Sequence, residues 1–109
     1  MPADAVAGVL GVQSQGALAC PKHFAAYNQD TNRFELDPEW KTVDVYVDKR
    51  VLHELYLPAF KAAVQEADVA SAMCTYNMLN GYFTCENDWL RNTTLRQEWG
   101  FTGFVVADW

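Results

Sequence analysis

The sequence predicts an α/β fold in which parallel strands alternate with helices. Three short apolar runs, at residues 17–24, 69–75 and 103–107, are typical of strands that are buried on both faces. Between the first and the last of these runs, two longer stretches place apolar residues at helical spacing. Strands and helices that alternate in this way give right-handed crossovers and a parallel sheet.

A sheet of three such strands is incomplete, because it leaves two open edges. A closed barrel of eight strand–helix units needs about 250 residues, whereas this chain has 109. We therefore expect about three consecutive units of a larger (β/α)8 TIM-type barrel. No repeat or low-complexity linker interrupts residues 1–109, so we expect one partial barrel domain without an internal boundary.

The first part of the chain predicts a helix, a strand and a long loop. Residues 3–12 suit a helix that ends before Gly16. The strand at 17–24 contains Pro21, which has no N–H for a central ladder. Residues 25–47 lack a period and are rich in polar side chains, and a loop of this length suggests a lid or a pocket wall.

The next part predicts a long helix with an interruption. Asp48 can cap a helix that extends to about residue 67. Pro58 lies inside the apolar pattern and should break the helix near Leu57, because proline lacks the donor and blocks the preceding turn.

The last part predicts a strand, a turn, a helix and a strand. After the strand at 69–75, Asn80 and Gly81 favour a turn with positive φ. A helix then runs from residue 87 or 88 to 99 and is stopped by Gly100, before the final strand.

Charge and hydropathy exclude two classes of partner. The chain has 8 Lys plus Arg against 14 Asp plus Glu, a net charge of −6, so it lacks the basic patch that dominates nucleic-acid binding. No apolar run approaches the roughly 20 residues that span a bilayer, so we expect no membrane partner.

The cysteines predict no metal site. Cys20, Cys74 and Cys85 have no Cys-x-x-Cys spacing and, with two histidines, make a poor zinc set, so we expect neither a metal nor a cofactor. Cys74 and Cys85 flank one loop, and they either pair in an oxidising compartment or remain packed thiols. Pairing would favour a secreted or periplasmic location.

Polar or aromatic side chains lie at or just after the carboxyl ends of all three predicted strands. Parallel strands would bring six residues to one rim: Lys22, His23, Tyr76, Asn77, Asp108 and Trp109. Hydrogen-bonding groups beside a flat aromatic ring suit a polyol or a sugar. Each residue also has a structural interpretation that the sequence leaves open: Asp108 as a helix cap, Lys22 as a partner of Asp30, His23 as a buried imidazole, Tyr76 as a plug of the barrel mouth and Trp109 as a packing residue.

Several motifs in this order and spacing resemble a known family, and together they cover nearly the whole chain. They are Gly11 to Gly16, Lys22-His23-Phe24, Leu52 to Pro58, Met73-Cys74-Thr75-Tyr76-Asn77 with Asn80-Gly81, and Gly100 to Trp109. The series resembles the N-terminal barrel of glycoside hydrolase family 3, the β-glucosidase-like enzymes.

The resemblance implies a role for each rim residue. Asp108 matches the catalytic nucleophile of a retaining mechanism, which forms a covalent glycosyl-enzyme. Lys22 and His23 match a pair that holds the glycone hydroxyls, Tyr76 a tyrosine beside the nucleophile, and Trp109 an aromatic that borders the aglycone side. A lysine cation near Asp108 would favour its ionised form.

Two departures from the family pattern bear on the chemistry. Ala107 stands where most members have serine, which removes a hydroxyl near the nucleophile. Ala25-Ala26-Tyr27 replaces the Pro-Gly-His type of the N-acetylglucosaminidase branch, so the resemblance implies an exo-acting β-glucosidase or β-xylosidase.

A retaining glycosidase also needs a second carboxyl group roughly 5 Å from the first. The resemblance implies that a later, C-terminal domain supplies this acid/base, and the spacing of Glu35, Glu39 and Glu86 singles out none of them. We therefore expect the chain alone to be a fragment that does not turn over its carbohydrate substrate. Two alternatives remain: an aldolase-type barrel with a Schiff base on Lys22, and a non-catalytic sugar-binding remnant.

Overall fold

The structure is a computed structural model that describes residues 1–31, 33 and 42–109, and it is of mixed α/β type. The α-helices are α1 (Pro2–Gln13), α2 (Lys49–Val51) and α3 (Pro58–Gln65). Two further helical segments, Leu52–Tyr56 and Trp89–Glu98, are wider and of π type. The strands are β1 (Asp44–Val45), β2 (Ser71–Met73), β3 (Met78–Leu79), β4 (Tyr82–Phe83) and β5 (Phe104–Val106).

Helix α1 lies where the small apolar run predicts it, and its last residue reaches across to the strand region. Gln13 Nε2 donates to the carbonyl of Asp68 at 3.3 Å. Gln13 Oε1 accepts from the Ala70 N–H at 3.0 Å, so the amide side chain bonds to the backbone just before β2.

The interruption predicted at Leu57 is confirmed. Asp48 Oδ1 accepts from the Arg50 N–H at 2.8 Å and caps α2. The Leu57 N–H bonds five residues back, to the carbonyl of Leu52 at 2.9 Å, and α3 begins at Pro58. Proline tolerates this first helical position because the N–H there has no partner within the helix.

The helix before the last strand also follows the prediction. Asn87 Oδ1 accepts from the Leu90 N–H at 3.0 Å, as an N-terminal cap does. At the other end, Gly100 has φ of +77°, which is typical of the residue that ends a helix.

Residues 17–24 do not form the eight-residue strand that their apolar character predicts. In this stretch, only Phe24 makes a bridge, in parallel with Cys74. The Phe24 N–H donates to Met73 O at 2.7 Å, and the Met73 N–H donates to Pro21 O at 3.2 Å. Pairing is this limited because Pro21 has no N–H of its own to donate.

Strand β2 lies between this short segment and β5. β2 and β5 pair in parallel, with Ser71 opposite Phe104 and Met73 opposite Val106. The predicted burial of the last strand is wrong: Phe104 is 52% exposed and Val106 is half-buried. Among the described residues, no backbone segment pairs with the second edge of β5.

A second, smaller sheet forms where the sequence predicts a loop and a turn. β1 pairs in parallel with β3, and β3 pairs antiparallel with β4 through Asn80 and Gly81. Both turn residues have positive φ, +50° and +92°, as predicted. β1 falls inside the predicted 25–47 loop and, at two residues, is too short to show a strand period.

The apolar core lies between the parallel segments and the helices. Its largest fully buried apolar side chains are Phe24, Leu52, Leu57, Leu79, Leu90 and Leu95. The Phe24 ring packs edge-on to Phe60, with centroids 5.0 Å apart, and lies 6.0 Å from Trp99. Phe24 therefore anchors the segment that carries Lys22 and His23. In the described part of the chain, no helix combines the length and the hydropathy needed to cross a membrane.

Candidate active site

The ends of two parallel segments bring His23 and Asp108 together. His23 directly precedes the bridge at Phe24, and Asp108 follows β5 by two residues. His23 Nε2 lies 3.5 Å from Asp108 Oδ2, and the two side chains are 26% and 13% exposed. This distance exceeds the 2.7–2.9 Å typical of a charge-assisted hydrogen bond.

The carboxylate of Asp108 has an unusual environment. Its Oδ2 is buried and has no hydrogen-bond partner among the described residues. A buried polar oxygen is normally bonded, because leaving it unpaired costs free energy. An unpaired, buried carboxylate oxygen at a strand end therefore indicates a functional rather than a structural role for Asp108.

Two tyrosines extend the site from His23. The rings of His23 and Tyr27 meet edge to face, with centroids 5.3 Å apart, and Tyr27 lies 6.4 Å from Tyr76. The Arg33 guanidinium stacks over the Tyr76 ring at 4.9 Å. Tyr76 is therefore held at the site by ring and cation contacts rather than by the core alone.

The Tyr27 phenol is held neutral. Burial, a 2.8 Å hydrogen bond to Asp30 and the nearby Asp108 carboxylate raise the pKa of Tyr27 to about 12, although Arg33 opposes the shift. Asp30 also pairs with Arg33 at 3.3 Å. Asp30 thus bonds to residues of its own loop, whereas the sequence offers it as an alternative partner of Lys22.

Sequence reasoning missed Tyr27 and Arg33 as site residues. They lie in the 25–47 stretch that the sequence identifies only as a lid or pocket wall. No spacing in the sequence singles out Tyr27 or Arg33. Glu35 and Glu39, which the sequence left as unassigned acids, lie outside the described residues.

Lys22 and Trp109 are both exposed at the predicted rim. Lys22 is exposed and lines a cavity of about 190 Å³ together with His23, Tyr27 and Tyr56. Trp109 is 86% exposed. Among the described residues, no hydrogen bond or ion pair joins the Lys22 side chain to the Asp108 carboxylate.

Asn77 does not face the rim. It is fully buried, and its side chain bonds to the backbone and to Thr75. Cys74 and Cys85, which flank this segment, are joined in a disulfide, and Cys20 is free.

A larger cavity, of about 380 Å³, lies elsewhere, between Lys49, Tyr82, Glu86 and Trp89. The Lys49 ammonium covers the Trp89 ring at 5.0 Å, so that aromatic face is already occupied. We place the site at Asp108 because that is where the unpaired carboxylate and the ring residues meet. In the described part of the chain, His, Cys, Asp and Glu form no group of three or more that suits a metal ion.

The comparison with known proteins agrees with this geometry. Residues 3–109 match the model of the glycosyl hydrolase family 3 N-terminal domain. The chain belongs to glycoside hydrolase family 3. The family 3 assignment rests on nearly all of the chain, including both segments that meet at Asp108 and His23.

Three known proteins show how similar the chain is to its relatives. It is 48% identical to a β-glucosidase of Rhizobium radiobacter over 98% of its length, and 43% identical to an exo-α-(1→6)-L-arabinopyranosidase of Bifidobacterium longum over 97%. The structure of β-glucosidase 3B from Thermotoga neapolitana in complex with glucose matches 95% of the chain, with 48% identity and a TM-score of 0.86. The chain spans 12%, 13% and 14% of these three proteins.

Proposed function

We propose that this chain is part of a retaining, exo-acting β-glycosidase and that Asp108 is its nucleophile. The observation that carries the proposal is the buried, unpaired Oδ2 of Asp108 at the end of β5, 3.5 Å from His23. Membership in glycoside hydrolase family 3 supports cleavage of an O-glycosyl bond. The likeness to a glucose-bound β-glucosidase supports a sugar as the ligand.

The mechanism assigns one step to each group. An oxygen of Asp108 attacks the anomeric carbon while the aglycone oxygen leaves with a proton from a second carboxylic acid, and a covalent glycosyl-enzyme forms. Water, deprotonated by the same second group, then attacks that carbon and releases Asp108. We propose that a later domain of the parent protein supplies the second carboxyl group.

The side chains around the Asp108 carboxylate bind the sugar. His23 and Lys22 bond to the glycone hydroxyls, and Tyr76 lies beside the nucleophile. Trp109 borders the aglycone side, where its exposed indole offers a flat apolar face.

We also propose that the parallel segments are consecutive units of a (β/α)8 barrel. The bridge at Phe24, then β2, then β5 lie side by side in chain order and in parallel. Neighbouring parallel strands in chain order are the arrangement of such a barrel, whose active site lies at the carboxyl ends of the strands.

The sugar is proposed to be a terminal β-glucoside or β-xyloside. One relative is named for an arabinopyranoside, which is a pentose ring like that of xylose. A panel of 4-nitrophenyl glycosides with gluco, xylo and α-L-arabinopyranosyl groups, assayed on the full-length parent, would identify the preferred ring.

The nucleophile is tested by trapping it. A 2-fluoro glycoside should label Asp108 in the full-length parent, and Asp108→Ala should lower kcat by about 10³-fold or more, because covalent catalysis is lost. Added azide should restore turnover to Asp108→Ala by replacing the missing carboxylate. Asp4→Ala, at an exposed carboxylate of α1, is the matched control and should leave activity unchanged. A label on another residue would refute the assignment.

The aldolase alternative has less support. A Schiff-base lysine must lose its proton near neutral pH, usually by desolvation, and Lys22 is exposed. Borohydride trapping of a carbonyl ligand on Lys22 would revive that alternative.

A further inference from the structure

The short segment that carries Tyr76 is fastened on both sides by residues that the proposed mechanism does not use. Thr84 is fully buried. Its Oγ1 accepts from the Thr75 N–H at 2.8 Å and donates to the Thr75 carbonyl at 3.0 Å. The Thr84 N–H donates to the carbonyl of Asn77 at 3.3 Å. Thr84 therefore bonds to the residue before Tyr76 and to the residue after it.

A covalent link lies directly beside these hydrogen bonds. The Cys74–Cys85 disulfide joins the neighbour of Thr75 to the neighbour of Thr84. The two connections hold the same two stretches of chain together, one covalently and one by hydrogen bonds. Loss of either connection leaves the other in place.

Asn77 connects this segment to the one that carries His23. Its Oδ1 accepts from Thr75 Oγ1 at 2.8 Å. Its Nδ2 lies 3.4 Å from the carbonyl of Ala25, two residues after His23. Tyr76 is thus the side chain of a clamped segment that faces the Tyr27 ring and the Arg33 guanidinium.

We propose that Thr84 and the Cys74–Cys85 disulfide are redundant positioning elements for Tyr76, and that only their joint loss releases Tyr76 from the site. The proposal rests on the proposed function, in which Tyr76 lies beside the nucleophile. Neither element bonds to Asp108, but Cys74 also contacts the carbonyl of Val106 on β5. The proposal is that both elements act through Tyr76 rather than through β5, and the Tyr76→Ala background below distinguishes the two routes. The redundancy makes the enzyme tolerant of reducing conditions as long as the Thr84 hydroxyl is present.

The test is a double-mutant cycle in the full-length parent, with the best substrate of the glycoside panel. The variants are Thr84→Val, the pair Cys74→Ala with Cys85→Ala, and all three changes together. Thr84→Val or the cysteine pair alone should lower kcat/KM by no more than about twofold, because the remaining element still holds the segment. The triple variant should fall well below the product of these two effects, because each element holds the segment only while it can replace the other.

Two controls separate positioning from general stability. Thr84→Ser keeps the hydroxyl and should retain activity. Thr94→Val removes an equally buried threonine hydroxyl that has no hydrogen-bond partner among the described residues, so it should leave kcat/KM unchanged. All assays are run well below the lowest Tm of the set.

The decisive measurement repeats the cycle in a Tyr76→Ala background. If Thr84 and the disulfide act through Tyr76, the triple change should lower kcat/KM by a much smaller factor in this background than in the wild type. An equal fractional loss in both backgrounds, or simple additivity in the wild type, would overturn the proposal. A 2-fluoro glycoside label on a residue other than Asp108 would instead refute the proposed function, while the cycle would still report on Tyr76.

Discussion

At the scale of single residues, the main feature is how few hydrogen bonds the Asp108 carboxylate receives from the protein. His23 approaches Oδ2 without a close hydrogen bond, and that oxygen has no partner in the described chain. A carboxylate fully bonded to protein donors would be a weaker nucleophile, because those bonds stabilise its charge. In the proposed mechanism, this unbonded oxygen is the one that attacks the anomeric carbon, and the neighbouring side chains bind the sugar hydroxyls.

The Tyr27 phenol should act as a neutral hydrogen-bonding group throughout the working range of the enzyme. Its pKa is raised from 10.0 to about 12. Because this pKa is raised on folding, the neutral phenol of Tyr27 adds to the free energy of unfolding. That contribution is fully present below pH 10 and is lost as the pH rises from 10 through 12. Tyr27→Phe should therefore lower kcat/KM by a constant factor, roughly twofold to tenfold, between pH 5 and pH 9.

The measurement is the pH profile of kcat/KM for the full-length parent and for Tyr27→Phe. Tyr82→Phe is the control, since Tyr82 is an exposed phenol on β4. Disappearance of a limb of the profile in Tyr27→Phe would show that Tyr27 titrates in this range and would contradict the assignment.

The sequence places His23 and Asp108 at one rim, and their side chains lie 3.5 Å apart in the structure. The convergence of His23 and Asp108 follows from the rule that parallel strands end at one edge. Tyr27 and Arg33 escaped because their contacts arise from the path of a loop, and no period in the sequence encodes that path. Asn77 was placed at the rim, but the bonds it makes to the protein keep it buried.

At the scale of elements, β5 depends on the close approach of two backbones. A Cβ built on Gly103 would lie 2.0 Å from the carbonyl oxygen of Ala70. No side chain fits there without a backbone shift. Because Asp108 follows on the same strand, a shift at Gly103 would be transmitted to the carboxylate.

Gly103→Ala should therefore lower both stability and activity of the full-length parent. Overpacking of this kind costs about 1–3 kcal/mol, and kcat should fall because Asp108, the proposed nucleophile, moves. Differential scanning calorimetry and turnover of a nitrophenyl glycoside measure the two effects. Gly8→Ala is the matched control: a Cβ there meets nothing within 4 Å, and alanine favours the helix interior. A Gly103→Ala variant with wild-type Tm and kcat would contradict the expected clash.

The elements that the sequence identified are those with strong local signals. Pro58 interrupts the long helix and Asn80-Gly81 makes the turn, because backbone chemistry determines both locally. β1 was not predicted because its pairing with β3 is a long-range contact between two-residue strands. The strand at 17–24 was overestimated because an apolar composition does not reveal how many N–H groups will find a partner.

At the scale of the whole molecule, the chain exposes much apolar surface. Leu18, Leu55 and Phe104 are among its exposed large hydrophobic side chains. The second edge of β5 has no backbone partner in the described part of the chain. Exposed strand edges and apolar patches favour association.

We expect residues 1–109, produced alone, to self-associate and to release no nitrophenol from 4-nitrophenyl β-glucoside. Self-association should appear in size-exclusion chromatography with light scattering, and the full-length parent at the same molar concentration is the activity control. A monomer with a sharply cooperative unfolding transition would contradict the first expectation. Turnover abolished by Asp108→Ala would contradict the second.

The Gln13 side chain bonds to the backbone just before β2, at the opposite end of that strand from Tyr76. Its amide mimics one more peptide unit in line with β2, donating at Asp68 and accepting at Ala70. A strand advances about 3.3 Å per residue. A shift of β2 by one residue relative to Gln13 would therefore move Tyr76 by about 3.3 Å along the strand. The Gln13 amide therefore helps to fix the position of Tyr76 along the direction of β2.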